Sequence, residues 1–180
     1  DLGMPSVRFE VRLLSREGKN ALSASGADEV SFVMSANAGE ALGPISRIAS
    51  GGELSRIMLA LKDVFAEKDG VDALIFDEID TGVSGVAAQR VAEKLASLGR
   101  TKQVLCVTHL PQIAAMAQQQ YLVEKAEHGG RTYTNIRLLD REGRRYELAR
   151  LSGGDMITDI QLAGAEELLA RDERFRASLS

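Results

Sequence analysis

Ala73-Leu74-Ile75-Phe76-Asp77-Glu78, residues 73–78, is the stretch from which the rest of this chain is best read. Four consecutive apolar side chains fit a strand of a parallel sheet, buried on both faces, where alternation is not required. Two carboxylates follow at once. Acidic groups at the carboxyl end of such a strand stand where open α/β sheets place their ligands. A second run of the same kind, Gln103-Val104-Leu105-Cys106-Val107, ends in Thr108-His109. Between the two, residues 86–98 carry Val91, Leu95 and Leu98 at helical spacing. Strand, helix and strand in succession predict an α/β core.

Further out the pattern changes. Leu54, Ile57, Met58, Leu61, Val64 and Phe65 recur with the period of an amphipathic helix. Upstream, residues 7–13 alternate as a strand, residues 17–20 read as a turn, and residues 29–34 form a second strand candidate. A loop over 37–40 ends near Gly43-Pro44. Downstream, a short helix is expected from Pro111 to Ala117. Residues 121–125 and 133–138 flank Gly129-Gly130 as a β-hairpin. A last amphipathic helix carries Leu162, Ala165, Leu168 and Leu169.

Composition sets the outer bounds. The chain has 180 residues, 44% hydrophobic and 27% charged, which is ordinary for one folded domain and too apolar for a disordered one. With 26 acidic and 22 basic side chains the net charge is −4, against a freestanding basic nucleic-acid binder. No apolar run is long enough to span a bilayer, so no membrane partner is expected. One cysteine and two histidines cannot build an internal disulfide or a zinc cluster, and the expectation is a reduced, cytoplasmic domain. The start at Asp1, running straight into a strand pattern, reads as a piece of a longer chain.

Three short motifs carry chemistry. Ser50-Gly51-Gly52-Glu53 is a capping box, Ser at the N-cap and Glu three residues on. The two glycines are not needed for capping; they bare backbone N–H groups at the positive end of a helix, where a phosphate can bind. The motif alone leaves both readings open. Asp77 suits Mg²⁺, which takes one or two carboxylates and keeps its waters. Glu78 suits a group that polarises water for attack on a phosphoryl group. Asp80 adds acidity and is a candidate N-cap. His109, at the neighbouring strand end, is within reach of a terminal phosphate, and the partner of its ring decides whether it donates or accepts.

In order and spacing these motifs resemble the ATP-binding cassette superfamily from its signature motif onward. Ser50 to Glu53 resembles the signature, Leu74 to Glu78 the Walker B strand with its glutamate, residues 81–85 the D-loop, and His109 the switch histidine. Asp77-Glu78-Ile79-Asp80 is similar to the SMC-like branch rather than to transporters. The strings over 48–56, 76–85 and 107–114 resemble the bacterial RecN family of SMC-like DNA-repair proteins, and the resemblance covers nearly the whole chain. It implies the C-terminal lobe of a cassette-type head, a mainly parallel sheet with flanking helices and antiparallel strands, as one unit over 1–180. It implies ATP hydrolysis coupled to double-strand-break repair, with Mg²⁺ on Asp77, the attacking water on Glu78 and the γ-phosphate sensed by His109. Ser50, Gly51, Gly52 and Glu53 would serve the nucleotide of a second head across an ATP-sandwiched homodimer. DNA is an implied partner and a nucleoid-associated, cytoplasmic location the implied setting.

The sequence also departs from the full pattern. No Gly-x-x-x-x-Gly-Lys-Ser/Thr occurs, so the phosphate loop must come from an N-terminal half, and the isolated chain is expected to be inactive. Ser84 stands where transporter D-loops carry aspartate. Leu151-Ser152-Gly153-Gly154-Asp155 looks like a second signature, but no acidic strand follows it, and it reads as a turn. Arg144, Arg145 and Arg150 cluster beside it, either on a solvated surface paired with Glu142 and Glu147 or against a DNA backbone. The competing functional class is a non-enzymatic DNA- or protein-binding module that keeps the cassette fold.

Overall fold

Local periodicity places most elements of the computed structural model, which describes the chain except residues 1, 3, 19–21, 25, 36–37, 46–49, 66–67, 69, 155 and 180 and the side chain of His128. Part of the expected turn at 17–20, part of the 37–40 loop, Ile48, Ala49 and Asp155 therefore lie outside the described residues. The alternating N-terminal runs become β1 (Arg8–Ser15) and β2 (Asp28–Ser35), antiparallel, with Phe9, Val11 and Leu13 opposite Met34, Phe32 and Val30. A two-residue strand β3 (Gly43–Pro44), expected as the end of a loop, pairs with the other side of β2. Proline is tolerated there because an outer strand need not donate every N–H.

Then follow α1 (Gly51–Phe65), β4 (Ala73–Phe76), α2 (Gly85–Leu98), β5 (Gln103–Cys106) and α3 (Pro111–Met116). β4 and β5 run parallel with Phe76 opposite Cys106, and the Val107 N–H continues the ladder to the Phe76 carbonyl at 2.9 Å. Both strands therefore end at one edge, which brings residues 77–80 beside 107–109. Among the described residues this pair is the parallel part of the fold, and the strands around it are antiparallel. The core beneath it joins Leu59 of α1, Phe76, Ile79, Val91, Leu95 and Leu98 of α2, and Ile113 and Met116 of α3.

Burial on both faces does not hold within this chain. Leu74 and Phe76 pack inward, whereas Ile75 is 75% exposed and Leu105 49%. α1 shows the same division. Its buried face is Gly52, Arg56, Ile57 and Leu59, while Leu54, Met58, Val64 and Phe65 of the sequence stripe are exposed. Within the described chain this second set of apolar side chains stays 41–75% exposed.

The hairpin is longer than expected, β6 (Tyr121–His128) and β7 (Arg131–Leu138), turning at Gly129 and Gly130 with φ of 59° and 73°. Two successive left-handed residues give the turn whose twist matches antiparallel strands, and glycine adopts both without strain.

The chain ends in α4 (Arg141–Gly153) and α5 (Asp159–Ser178), with Ala114, Ala115, Leu148, Ala149, Ala165 and Leu169 closing a second core. Helix α4 corrects the sequence reading. Asp140 caps it, accepting from the Gly143 N–H at 2.7 Å, and residues 151–153 of the signature look-alike are its last turn. Arg145 and Arg150 do pair with Glu142 and Glu147, each at 2.7 Å. Arg144 is neither solvated nor available to DNA. It is buried, and its Nη2 donates to the carbonyls of Ala115 at 3.1 Å and Ala117 at 2.8 Å. Arg176 of α5 donates to Ala115 and Met116 at 3.2 and 3.0 Å. The C-terminal end of α3, where carbonyls lack helical partners and the dipole is negative, is thus held by two guanidinium groups.

Candidate functional site

Where β4 ends the backbone turns sharply. Glu78 has φ of 57°, and among the described residues it is the non-glycine residue in the left-handed region. For a glutamate this is uncommon and persists only where neighbours hold it. Here they do. Asp77 Oδ1 accepts from the Glu78 N–H at 2.9 Å, the Thr81 N–H donates to the Glu78 carbonyl at 3.1 Å, and Ile79 is fully buried in the core. The turn leaves the Asp77 and Glu78 side chains exposed side by side at the strand end.

The start of α1 packs directly on this turn. Ser50 N–H donates to Glu53 Oε2 at 2.8 Å and Glu53 N–H to Ser50 Oγ at 3.4 Å, so the capping box is formed. Ser55 Oγ donates to the Asp77 carbonyl at 2.9 Å. Arg56, which carried no role in the sequence reading, is buried and donates to the Thr81 carbonyl at 2.7 Å and more weakly to that of Ile79 at 3.4 Å. Burial pulls this guanidinium below the ordinary arginine range, with Glu53 opposing.

The two glycines now have a packing reason as well as the anion reason. A Cβ on Gly51 would lie 2.5 Å from Glu78 Oε2, and one on Gly52 would lie 2.8 Å from Thr81 Cβ and 2.9 Å from the carbonyl oxygens of Glu78 and Thr81. Gly51 meets the tip of a flexible side chain; Gly52 meets backbone. Gly52→Ala is therefore expected to destabilise the chain by about 1–3 kcal/mol through overpacking, whereas Gly51→Ala should be near neutral and only displace the Glu78 carboxylate. Urea unfolding of the two variants measures this, and equal losses would contradict the packing described.

Asp80 is not the N-cap it resembled in sequence. The N-cap of α2 is Ser84, in an extended conformation and without a side-chain capping bond. Asp80 instead turns inward to the end of β5, where its Oδ2 accepts from Thr108 Oγ1 at 2.6 Å and the His109 N–H at 2.8 Å, with His109 Nδ1 2.9 Å away in an ion-pair contact. The carboxylate is 4% exposed and the imidazole 75% exposed, so a buried anion holds a ring that faces outward. Cys106, one strand position back, has its thiol pushed up to about 12, by burial first and then by the charges of Asp80 and Asp77. A thiol so far from ionisation is no nucleophile at neutral pH.

Among the sequence candidates, Asp77, Glu78 and Gly51 thus share one small surface, with Ser50 and Glu53 at the helix start beside it. His109 is tied to the same turn through Asp80. Gly52 is buried underneath. Among the described residues no three His, Cys, Asp or Glu side chains form a metal cluster. A divalent ion at Asp77 would need phosphate oxygens and water as its other ligands, and Mg²⁺ accepts such a shell. Arg56 and the inward-facing role of Asp80 were missed because each residue binds a group more than twenty residues away in the chain.

No family model matches the chain. Curated relatives do. It is 46% identical over 169 residues to the "DNA repair protein RecN" of Halalkalibacterium halodurans, covering 93% of this chain and 30% of that protein. It is 47% identical over 178 residues to the protein of the same name from Treponema pallidum, covering 97% and 31%. Among solved structures, the Smc head domain with a coiled coil and joint from Pyrococcus yayanosii aligns at a TM-score of 0.57 and 19% identity, covering 84% of this chain and 27% of that one. The Smc head domain from Pyrococcus furiosus aligns at 0.52, also with 19% identity, over 83% and 35%. These neighbours show the fold, the C-terminal lobe of a cassette-type head. The chain spans about three-tenths of the length of the relatives it matches, and over that length it is similar to the RecN proteins.

Proposed function

We propose that this chain is the C-terminal lobe of an ATP-hydrolysing, SMC-like head that acts in DNA double-strand-break repair. The observation that carries the proposal is the strand-end arrangement: exposed Asp77 and Glu78 on a backbone held at positive φ, next to an outward-facing His109. Asp77 would hold Mg²⁺, which when bound screens the charge on the transferred phosphoryl group. Glu78 orients the attacking water, and His109 contacts the terminal phosphate or that water. Ser50 and Gly51, exposed at the positive end of α1, face outward toward the nucleotide of a second head, with Glu53 and Gly52 fixing the helix start.

The bare apolar surfaces support a composite site. Ile75, Leu105 and Val107 on the sheet, and Leu54, Met58 and Phe65 on α1, are exposed side chains of the kind parallel sheets bury. The remainder of a protein as long as the relatives would cover them and supply the phosphate loop that this sequence lacks. DNA as an effector, a homodimer of heads and a cytoplasmic, nucleoid-associated location belong to the same reading. No helix of the described chain is long and apolar enough to cross a membrane.

The test is steady-state ATP turnover by this chain combined with the segment that carries the phosphate loop. Turnover that requires both pieces is expected. A demonstrably formed complex without turnover would move the assignment to a non-enzymatic binding module.

A further inference from the structure

Resting on that reading, we infer that Arg56 is a positioning residue: it holds the turn that carries Glu78 and so ties that carboxylate to the start of α1. A turn this tight must find donors for its carbonyls. Of the five from Asp77 to Thr81, two are satisfied within the turn, that of Glu78 by the Thr81 N–H at 3.1 Å and that of Asp80 by the Val83 N–H at 3.3 Å. The other three are satisfied from α1. Ser55 Oγ donates to Asp77 at 2.9 Å, and Arg56 Nη1 donates to Thr81 at 2.7 Å and to Ile79 at 3.4 Å. Arg56 thus braces the segment just after Glu78, whose φ of 57° persists only while its neighbours hold it.

Stability alone is a poor reason for this arginine. The residue is 4% exposed, and its Nε is buried with no acceptor among the described residues. A buried cation with an unpaired donor is costly, and an apolar side chain of similar volume often replaces a buried ion at no loss of stability. What an apolar side chain lacks is a donor that bridges two carbonyls two residues apart. About a turn and a half of α1 separates Arg56 from Gly51. One side chain therefore joins the helix start proposed to face a second head's nucleotide to the carboxylate proposed to act on the head's own.

Arg56→Met in the assembled head keeps the volume and removes the donors. Without nucleotide, hydrogen exchange of the Thr81 and Val83 amides is expected to speed up about tenfold or more, the scale of a lost charged hydrogen bond, while the amides of α5 keep their protection. Unchanged exchange in the turn overturns the inference whether or not the protein hydrolyses ATP. With ATP, kcat is expected to fall about tenfold or more with a smaller change in KM, the scale on which a side chain that orients another acts. The same substitution in a Glu78→Gln background should add nothing. An equal loss in both backgrounds would show that Arg56 supports the fold and does not act through Glu78, and a wild-type kcat beside a loosened turn would overturn the inference as well. If the methionine protein does not fold, Arg56→Lys, which keeps the charge and loses the planar fork, takes its place with the same expected direction and the same overturning results.

Discussion

Glu78→Gln is expected to lower ATP turnover of the assembled head by about 10²–10⁴-fold, the range that a positioned acid–base group contributes. The substitution keeps shape and length and removes only the negative charge that polarises water. It should not disturb the turn. The Glu78 backbone is held by Asp77 Oδ1 at its N–H and by the Thr81 N–H at its carbonyl, and glutamine bears the positive φ no worse than glutamate. Nucleotide binding and pairing of heads should persist, and the closed pair should last longer because the step that ends it is slowed. Steady-state turnover, with size-exclusion chromatography in the presence of ATP, reads both effects. Turnover at the wild-type rate would remove Glu78 from the chemistry; loss of ATP binding would make it a structural residue.

The second large effect is on stability. Arg144→Ala should destabilise the chain by about 3 kcal/mol, because it strips a charged donor from several buried carbonyls at once. Arg144, on the buried face of α4, binds the end of α3, with a weaker bond to Gln120 Oε1 at 3.4 Å. Burial, with Arg176 close by, already pulls it below the ordinary arginine range. The neighbouring Arg145→Ala removes an ion pair to an exposed Glu142 and should change stability by less than about 1 kcal/mol. Urea denaturation of the two variants gives the contrast directly. Small, equal losses would return Arg144 to the surface and revive its candidacy as a DNA contact.

These two residues also show where sequence reading succeeds and where it stops. Glu78 could be singled out as a candidate because its signal is local: a short apolar run, then two acids, at a fixed distance from a capped helix and from a second run ending in histidine. The same holds for the capping box at Ser50 and Glu53 and for the hairpin at Gly129-Gly130. Helix α4 was hidden because its buried face includes Arg144 and Glu147 beside Leu148 and Ala149, so charge occupies positions where periodicity looks for apolar groups. The stripe on α1 was visible, but four of its six apolar side chains, Leu54, Met58, Val64 and Phe65, are exposed among the described residues.

What the sequence determined by itself is most of the elements and the residues that stand at their ends, because helix period, strand runs, caps and turns depend on residues a few positions apart. The tertiary structure decided the partners of the polar groups. Asp80 meets Thr108 and His109 across 28 and 29 residues only because β4 and β5 lie parallel and end at one edge. Arg56 reaches Thr81 across 25 residues because Gly52 lets α1 sit on the turn. A buried charge must find its partner wherever the fold brings one, and no local pattern records that choice.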